Sequence, residues 1–184
     1  MKLSYNSPVI LTFSIASLVV FILGAGIFGE VVSLKFTVAD NMDFQNFWSY
    51  FRLFSHVLGH YDLQHLSGNI LLLMLVGPLL EEKYGFWPLI IMMLLTALVT
   101  GLLHTFLFEG LLLGASGIVF MFITLSSFAN RKVGELPLTM IFVVLAYLGQ
   151  ELLAVGNQND NISHMAHIAG GVLGVIFGFL NKVD

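Results

Sequence analysis

"GASGIVFMFITLSSFAN", Gly114 to Asn130, is a run of 17 residues without a single charge. Arg131 and Lys132 follow it at once. A segment of this kind reads as a helix buried in an apolar surrounding. At ~1.5 Å per residue it is about 25 Å long, a little less than a ~30 Å hydrocarbon core. Small residues such as Gly114, Ala115, Ser116 and Gly117 are common where membrane helices touch. Taken alone, G-x-S-G is more often packing than catalysis. The rest of the chain decides whether Ser116 has a second role.

Outward from this run the chain is mostly oil. Of its 184 residues, 58% are hydrophobic and only 10% are charged, and the mean hydropathy is +0.93. Soluble domains carry roughly 25% charged residues. The composition therefore predicts a polytopic, all-α membrane protein, with residues 1–184 forming one domain. With no cysteine, disulfides, thiolate zinc sites and a thiol nucleophile are excluded. The net charge is −4, and no basic cluster exceeds Arg131-Lys132. That gives no footing for nucleic acid.

Six apolar segments have the length of spans: residues 8–28, 63–80, 87–108, 114–130, 137–156 and 164–181. The first follows Lys2 but is longer than a signal-peptide core, so it reads as a retained span. The second, fourth and sixth are short. One end of each is expected to stop inside the membrane, sheltered by the bundle. The connection from Gly29 to Asp62 mixes Phe44, Phe47, Trp48, Tyr50, Phe51 and Phe54 with Asp43, Gln45 and Arg52. Such a segment suits the membrane interface. With the N-terminus inside, Lys2, Lys83, Arg131, Lys132 and Lys182 are cytoplasmic, and only Lys35 and Arg52 are outside. The positive-inside rule then puts both termini in the cytoplasm.

Intramembrane polar residues are functional hypotheses by default. His65 and Asn69 in span two, Ser116 in span four and His167 in span six all lie within the first turns of their spans. These three spans run in the same direction, so the four side chains gather near one membrane face. A serine hydroxyl needs a base to act as a nucleophile, and histidine is the usual one. His65 and Asn69, four residues apart, share a helix face and can both donate hydrogen bonds to an oxyanion. The backbone N–H of Ser116, near a helix start, can join them. Gly170, Gly174 and Gly178 give span six a smooth side for close approach.

Other histidines have plainer readings. His56, His60 and His65 form H-x3-H-x4-H, but "HVLGH" lacks the glutamate of the H-E-x-x-H zinc site. The alternative to metal binding is that His56 and His60 hold the loop-to-span-two junction by hydrogen bonds. His104 is expected at the interface, His164 as a cap of span six, Glu81 near a turn, and Arg52 pinning the long loop. No carboxylate stands obviously beside His167: Asp160 is seven residues upstream in "NQNDNIS", and Glu151 is further away. A Ser–His dyad is therefore expected rather than a triad.

These residues resemble the rhomboid family of intramembrane serine proteases, across nearly the whole chain. "HYDLQHLSGN" is similar to the family's H-x4-H-x3-N, giving His60, His65 and Asn69. "GASG" is similar to G-x-S-G, giving Ser116 as nucleophile between Gly114 and Gly117. "AHIAG" is similar to A-H-x-x-G, giving His167 as base and Gly170. "EEKYG" is similar to the E-x-x-x-G turn, giving Glu81 and Gly85. The resemblance implies a six-transmembrane-helix bundle of the minimal prokaryotic type, in the inner membrane. It implies cleavage of transmembrane segments of other membrane proteins, with neither metal nor cofactor. Span five and "NQNDNIS" are implied as gate and cap. Two departures stand out: Phe51-Arg52 replaces the family's Trp-Arg, and Phe120 replaces a common Tyr while keeping a ring to stack on His167. The alternative from another class is a catalytically inactive rhomboid-like protein that binds transmembrane helices. Neither the oligomeric state nor the natural substrate can be read from these motifs.

Overall fold

The computed structural model describes residues 2–26, 29–132, 134–154 and 164–181. Among them are eight α-helices: α1 (Pro8–Ala25), α2 (Gly29–Lys35), α3 (Phe47–Ser55), α4 (Leu63–Tyr84), α5 (Phe86–Leu107), α6 (Ser116–Ser126), α7 (Leu138–Ala154) and α8 (His164–Leu180). Three of these, α1, α4 and α5, are long and apolar enough to cross a membrane. The other apolar helices, α6, α7 and α8, are shorter.

The protein is turned outward in the sense expected for lipid. Leu71, Leu75 and Leu79 on α4 are all more than 60% exposed. Meanwhile Thr96, Thr100 and Thr124 are buried, each returning its hydroxyl to a carbonyl one turn back in its own helix. A continuous apolar surface of this kind is a liability in water and ordinary in a bilayer.

At the centre stands α6. Ile118, Val119, Met121, Phe122 and Leu125 are all buried, so the helix is enclosed on nearly every side, as a helix apolar all round must be. Its largest interface is with α8. A β-carbon at Gly170 would strike the Gly117 backbone, and one at Gly174 would strike Met121 and Thr124. The glycine spacing read from the sequence is thus the contact itself. Thr124 adds a hydrogen bond from its hydroxyl to the Gly171 carbonyl, 2.9 Å.

Two element lengths depart most from the sequence reading. Helix α4 continues past Pro78 to Tyr84, 22 residues in all. Glu81 makes this possible. Its carboxylate, although buried, accepts the N–H groups of Val9 and Ile10 at 3.0 and 3.2 Å. It thereby closes the open N-terminus of α1. Gly85, at φ 85°, ends the helix. Conversely, α6 is only 11 residues, about 16 Å. Ser126 and Ser127 bond back to Ile123 and Thr124, and the chain then tightens into three-residue turns through Arg131. Serine hydroxyls compete with helix bonds in this way.

The long first connection is ordered. It contains α2, a two-residue strand β1 (Val38–Ala39), α3 and a 3-10 turn (His56–Leu58). Strand β1 pairs antiparallel with β2 (Leu111–Leu112), in the register Val38 to Leu112 and Ala39 to Leu111. This small ribbon, unforeseen in the all-α reading, ties the first connection to the segment just before Ser116. Two-residue strands leave no periodicity to read.

Candidate active site

Ser116 is the first residue of α6. Its backbone N–H falls among the first four of the helix, which lack intrahelical acceptors. Val119, three residues on, already bonds back to the Ala115 carbonyl. The segment before the serine is held by Gly114, which has φ 126° and whose N–H donates to the His56 carbonyl at 3.0 Å. A β-carbon at Gly114 would come within 2.6 Å of His65 Cε1 and 2.8 Å of Nε2. Glycine here satisfies both the left-handed backbone and the close approach of the imidazole.

Ser116, His65, Asn69 and His167 line one cavity of about 570 Å³. Phe120, Val119 and Leu111–Leu113 form its apolar walls, and Tyr61, Asp62 and Gln64 lie at its polar rim. His167 is buried and lies flat on Phe120, ring centres 4.4 Å apart and 11° from parallel. Phe120 also meets Tyr147 of α7 edge-on at 5.3 Å. The imidazole is therefore held by a ring that itself touches α7.

Asn69 is held from behind. Its side-chain nitrogen lies 3.1 Å from His60 Nε2, and His60 Nδ1 lies 3.2 Å from the Leu58 carbonyl. A carbonyl only accepts, so Nδ1 carries the proton and Nε2 accepts from the Asn69 amide. This requires a neutral His60. Burial, and after it the neighbouring His65, lowers the His60 pKa to about 4, which keeps the ring neutral. His65 sits 5.0 Å from His60, edge to face, and is stacked by Tyr61 at 6.2 Å. Asp62 starts α4 by accepting the His65 N–H, 2.7 Å.

Among the sequence candidates, His65, Asn69, Ser116, Phe120 and His167 come together at the cavity. His60 stands behind Asn69, and Gly114, Gly117 and Gly170 allow the close backbone contacts. His56 and His60 hold the junction before α4 by hydrogen bonds: His56 Nε2 lies 3.1 Å from the Ala97 carbonyl. Burial lowers the His56 pKa to about 4, against the raising effect of the Ala97 hydrogen bond. The described residues contain no group of three or more His, Asp or Glu placed to hold a metal ion. His104, expected at the interface, is buried within the protein, with Nε2 3.2 Å from the Gly110 carbonyl. Its carbonyl partner lies in the following loop, a closure that hydropathy does not register. His164 is the first residue of α8, edge-on to His167 at 6.4 Å. Asp160, the "NQNDNIS" segment and the Glu151 side chain lie outside the described residues. Sequence reasoning missed Tyr61, whose hydroxyl donates to the Leu111 carbonyl at 3.2 Å. The signal available was its position one residue after His60.

A family model described as the Rhomboid domain matches residues 47–182, well over half of the chain. The chain belongs to the rhomboid family. The match opens at the start of α3 and takes in every residue of the cavity. Rhomboid-related protein 1 of Caenorhabditis elegans is 34% identical over 141 residues, 70% of this chain and 39% of that protein. Rhomboid protease GlpG of Haemophilus influenzae is 26% identical over 137 residues, 71% of this chain and 69% of that one. Rhomboid protease GlpG of Serratia proteamaculans is 28% identical over 146 residues, 76% of this chain and 50% of that one. The rhomboid chain thus spans as little as two fifths of the relatives it matches. Family membership and the long apolar helices make it an integral, multi-pass membrane protein. The resemblance to rhomboids noted from the motifs therefore stands.

Proposed function

We propose that this rhomboid chain is an intramembrane serine endopeptidase that cleaves transmembrane segments of other membrane proteins. The observation that carries the reading is the gathering of Ser116, His167, His65 and Asn69 around one cavity. His167 takes the Ser116 hydroxyl proton as Oγ attacks the scissile carbonyl carbon. The carbonyl oxygen becomes an oxyanion, received by His65, the Asn69 amide and the Ser116 backbone N–H. As the carbon–nitrogen bond breaks, the proton passes from His167 to the leaving amine. Water then enters, gives a proton to His167, and its oxygen attacks the acyl ester. Collapse releases the acid and returns the proton to Ser116 Oγ.

The cavity walls fit this chemistry. Leu111–Leu113, Val119 and Phe120 offer an apolar bed to an extended segment, and the rim of Asp62, Gln64 and Tyr61 admits water. Phe120 positions the base and needs no hydroxyl for that. Six spans in one domain over residues 1–184, with both termini cytoplasmic and the cavity opening outward, complete the reading. A prokaryotic inner membrane is the setting, and neither metal nor cofactor takes part. α7 and the "NQNDNIS" segment serve as gate and cap.

The test is labelling by a serine-directed fluorophosphonate, together with cleavage of a model transmembrane substrate in detergent. Both are expected from the native chain and neither from Ser116→Ala. His167→Ala is expected to be comparably inactive, because the two groups act as a unit. Labelling that survives in Ser116→Ala refutes the assignment. Absence of labelling and cleavage in the native chain, with substrate helices still bound, would establish the inactive helix-binding alternative.

A further inference from the structure

Helix α3 turns two serines and a leucine inward and aromatic rings outward. Ser49, Leu53 and Ser55 are buried, whereas Phe47, Trp48, Tyr50 and Phe51 are exposed. Trp48 and Arg52 are four residues apart and share one face. Lys35, the last residue of α2, is strapped along that face. Its carbonyl accepts the Ser55 hydroxyl at 2.7 Å, and its ammonium lies over the Trp48 ring, 3.0 Å from the centroid. The lysine stem therefore runs from the level of Ser55 to that of Trp48, alongside Arg52. Weakly polar surroundings, and after them the Arg52 charge, lower the Lys35 pKa.

Two cations thus lie on one strip. Neither has an ion-pair partner among the described residues, and Arg52 Nε is buried without a hydrogen bond. Asp43, which precedes α3, is turned elsewhere: its Oδ1 accepts the Gln45 N–H at 2.8 Å and its carbonyl accepts the Ser49 hydroxyl at 2.5 Å. Repulsion between Lys35 and Arg52 and the unsatisfied guanidinium Nε both call for an anion. The rings around them belong at a membrane interface.

We propose that Lys35 and Arg52 together hold the phosphate of a membrane lipid, with Trp48 and Phe51 against its glycerol and upper acyl chain. Guanidinium matches phosphate oxygens in a planar fork, and the ammonium adds a point charge. A lipid without its own ammonium group is preferred. The site also touches the serine loop. α3 runs directly into His56, whose carbonyl holds Gly114 two residues before Ser116. Bound lipid therefore steadies the nucleophile. That consequence rests on the protease reading; the binding does not.

The experiment titrates phosphatidylglycerol into phosphatidylcholine nanodiscs holding the full chain. Retained lipid is read by native mass spectrometry, and the unfolding temperature is followed in parallel. Phosphatidylglycerol is expected to be retained and to raise the unfolding temperature. Lys35→Gln should weaken retention roughly fivefold, and K35Q/R52Q about 25-fold, at roughly one interfacial charge's worth each. Lys35→Arg should keep it. If Arg52→Gln fails to fold, Lys35→Glu carries the test, since an added anion must expel the lipid. Unchanged retention in Lys35→Glu or in K35Q/R52Q overturns the proposal. So does inorganic phosphate alone reproducing the thermal shift in detergent, which would mark a soluble-anion site. Loss of an acidic peptide's capture with lipid retention intact would mark a peptide site instead. Ser116→Ala should bind lipid normally, so a chain that binds lipid without cleaving substrate fails the protease reading only.

Discussion

Gly170→Ala tests the geometry of the site from behind. A β-carbon there would lie 2.8 Å from the Gly117 carbonyl carbon and 3.0 Å from its α-carbon, and closer still to the carbonyl oxygen. Carbon atoms pack comfortably at ~3.5–4.0 Å, so the shortfall is about 1 Å. The obstruction is backbone, and no side chain can swing aside. Helix α8 must therefore move from α6 by about that distance. His167 is three residues before Gly170 on α8, and Ser116 adjoins Gly117 on α6. The substitution therefore separates the proposed base from the proposed nucleophile. Overpacking of this kind costs about 1–3 kcal/mol of stability, while a misplacement of about 1 Å costs on the order of 100-fold in rate. The assay is cleavage of a fluorogenic transmembrane substrate, with denaturation followed in the same detergent. The control is Gly149→Ala in α7, where nothing lies within 4 Å; replacing glycine inside a helix there should stabilise by about 0.5–1 kcal/mol. Near-native cleavage by folded Gly170→Ala would refute the reasoning, because the helices would then not need their observed approach.

Three further outcomes are expected. Gly114→Ala, which combines strain at φ 126° with a methyl against His65, should cost about 1–3 kcal/mol in denaturant unfolding and remove most cleavage. Glu81→Ala opens the N-terminus of α1 by freeing the Val9 and Ile10 N–H groups. It should lower stability by about 1–3 kcal/mol, with the proposed cleavage by the folded protein unchanged, because Glu81 lies at the opposite end of α4 from His65. Acid should destabilise the fold through His56 and His60, whose folded pKa values of about 4 lie below the ordinary 6.5. Their contribution is complete above pH ~6.5 and is lost as pH falls toward ~4. It amounts to up to about 3 kcal/mol each, and unfolding midpoints measured across that window check it.

The grouping of the candidate site residues is more legible in the sequence than the lengths of the helices that carry them. Ser116, His167, His65 and Asn69 were placed at one face by counting crossings, and the structure sets them around one cavity. The count uses only the alternation of direction from span to span, so it does not depend on exact helix ends. Lengths were less legible. Hydropathy falls at Glu81 and Glu82 and ends span two at residue 80, although the helix continues to Tyr84. The missing information was non-local: the carboxylate is solvated by two N–H groups of α1, 71 and 72 residues away. Span four reads longer than helix α6 for the opposite reason. Residues 126–130 are uncharged, but the serine hydroxyls divert the chain into tight turns. His104, expected at the interface, is a lone histidine near a helix end with no visible partner in sequence. Its partner is the Gly110 carbonyl, brought back by the turn that follows.

Asn69 and the loop before Ser116 are oriented by residues that do not face the cavity. His60 fixes the amide of Asn69, and the His56 carbonyl fixes Gly114 before Ser116. Phe120 lines the cavity yet serves His167 only through its flat face. In a medium of low dielectric this arrangement has a definite use. A misaligned donor cannot be replaced by bulk water, so a buried polar network is either satisfied or costly. His60 illustrates the economy: protonation would convert its accepting nitrogen into a donor facing the Asn69 amide nitrogen. Burial opposes that protonation, so the desolvation that costs stability in acid also keeps the Asn69 amide aimed. The H-x4-H-x3-N spacing then reads as one device. Its first histidine sets the asparagine from behind, and its second lies beside the asparagine at the cavity.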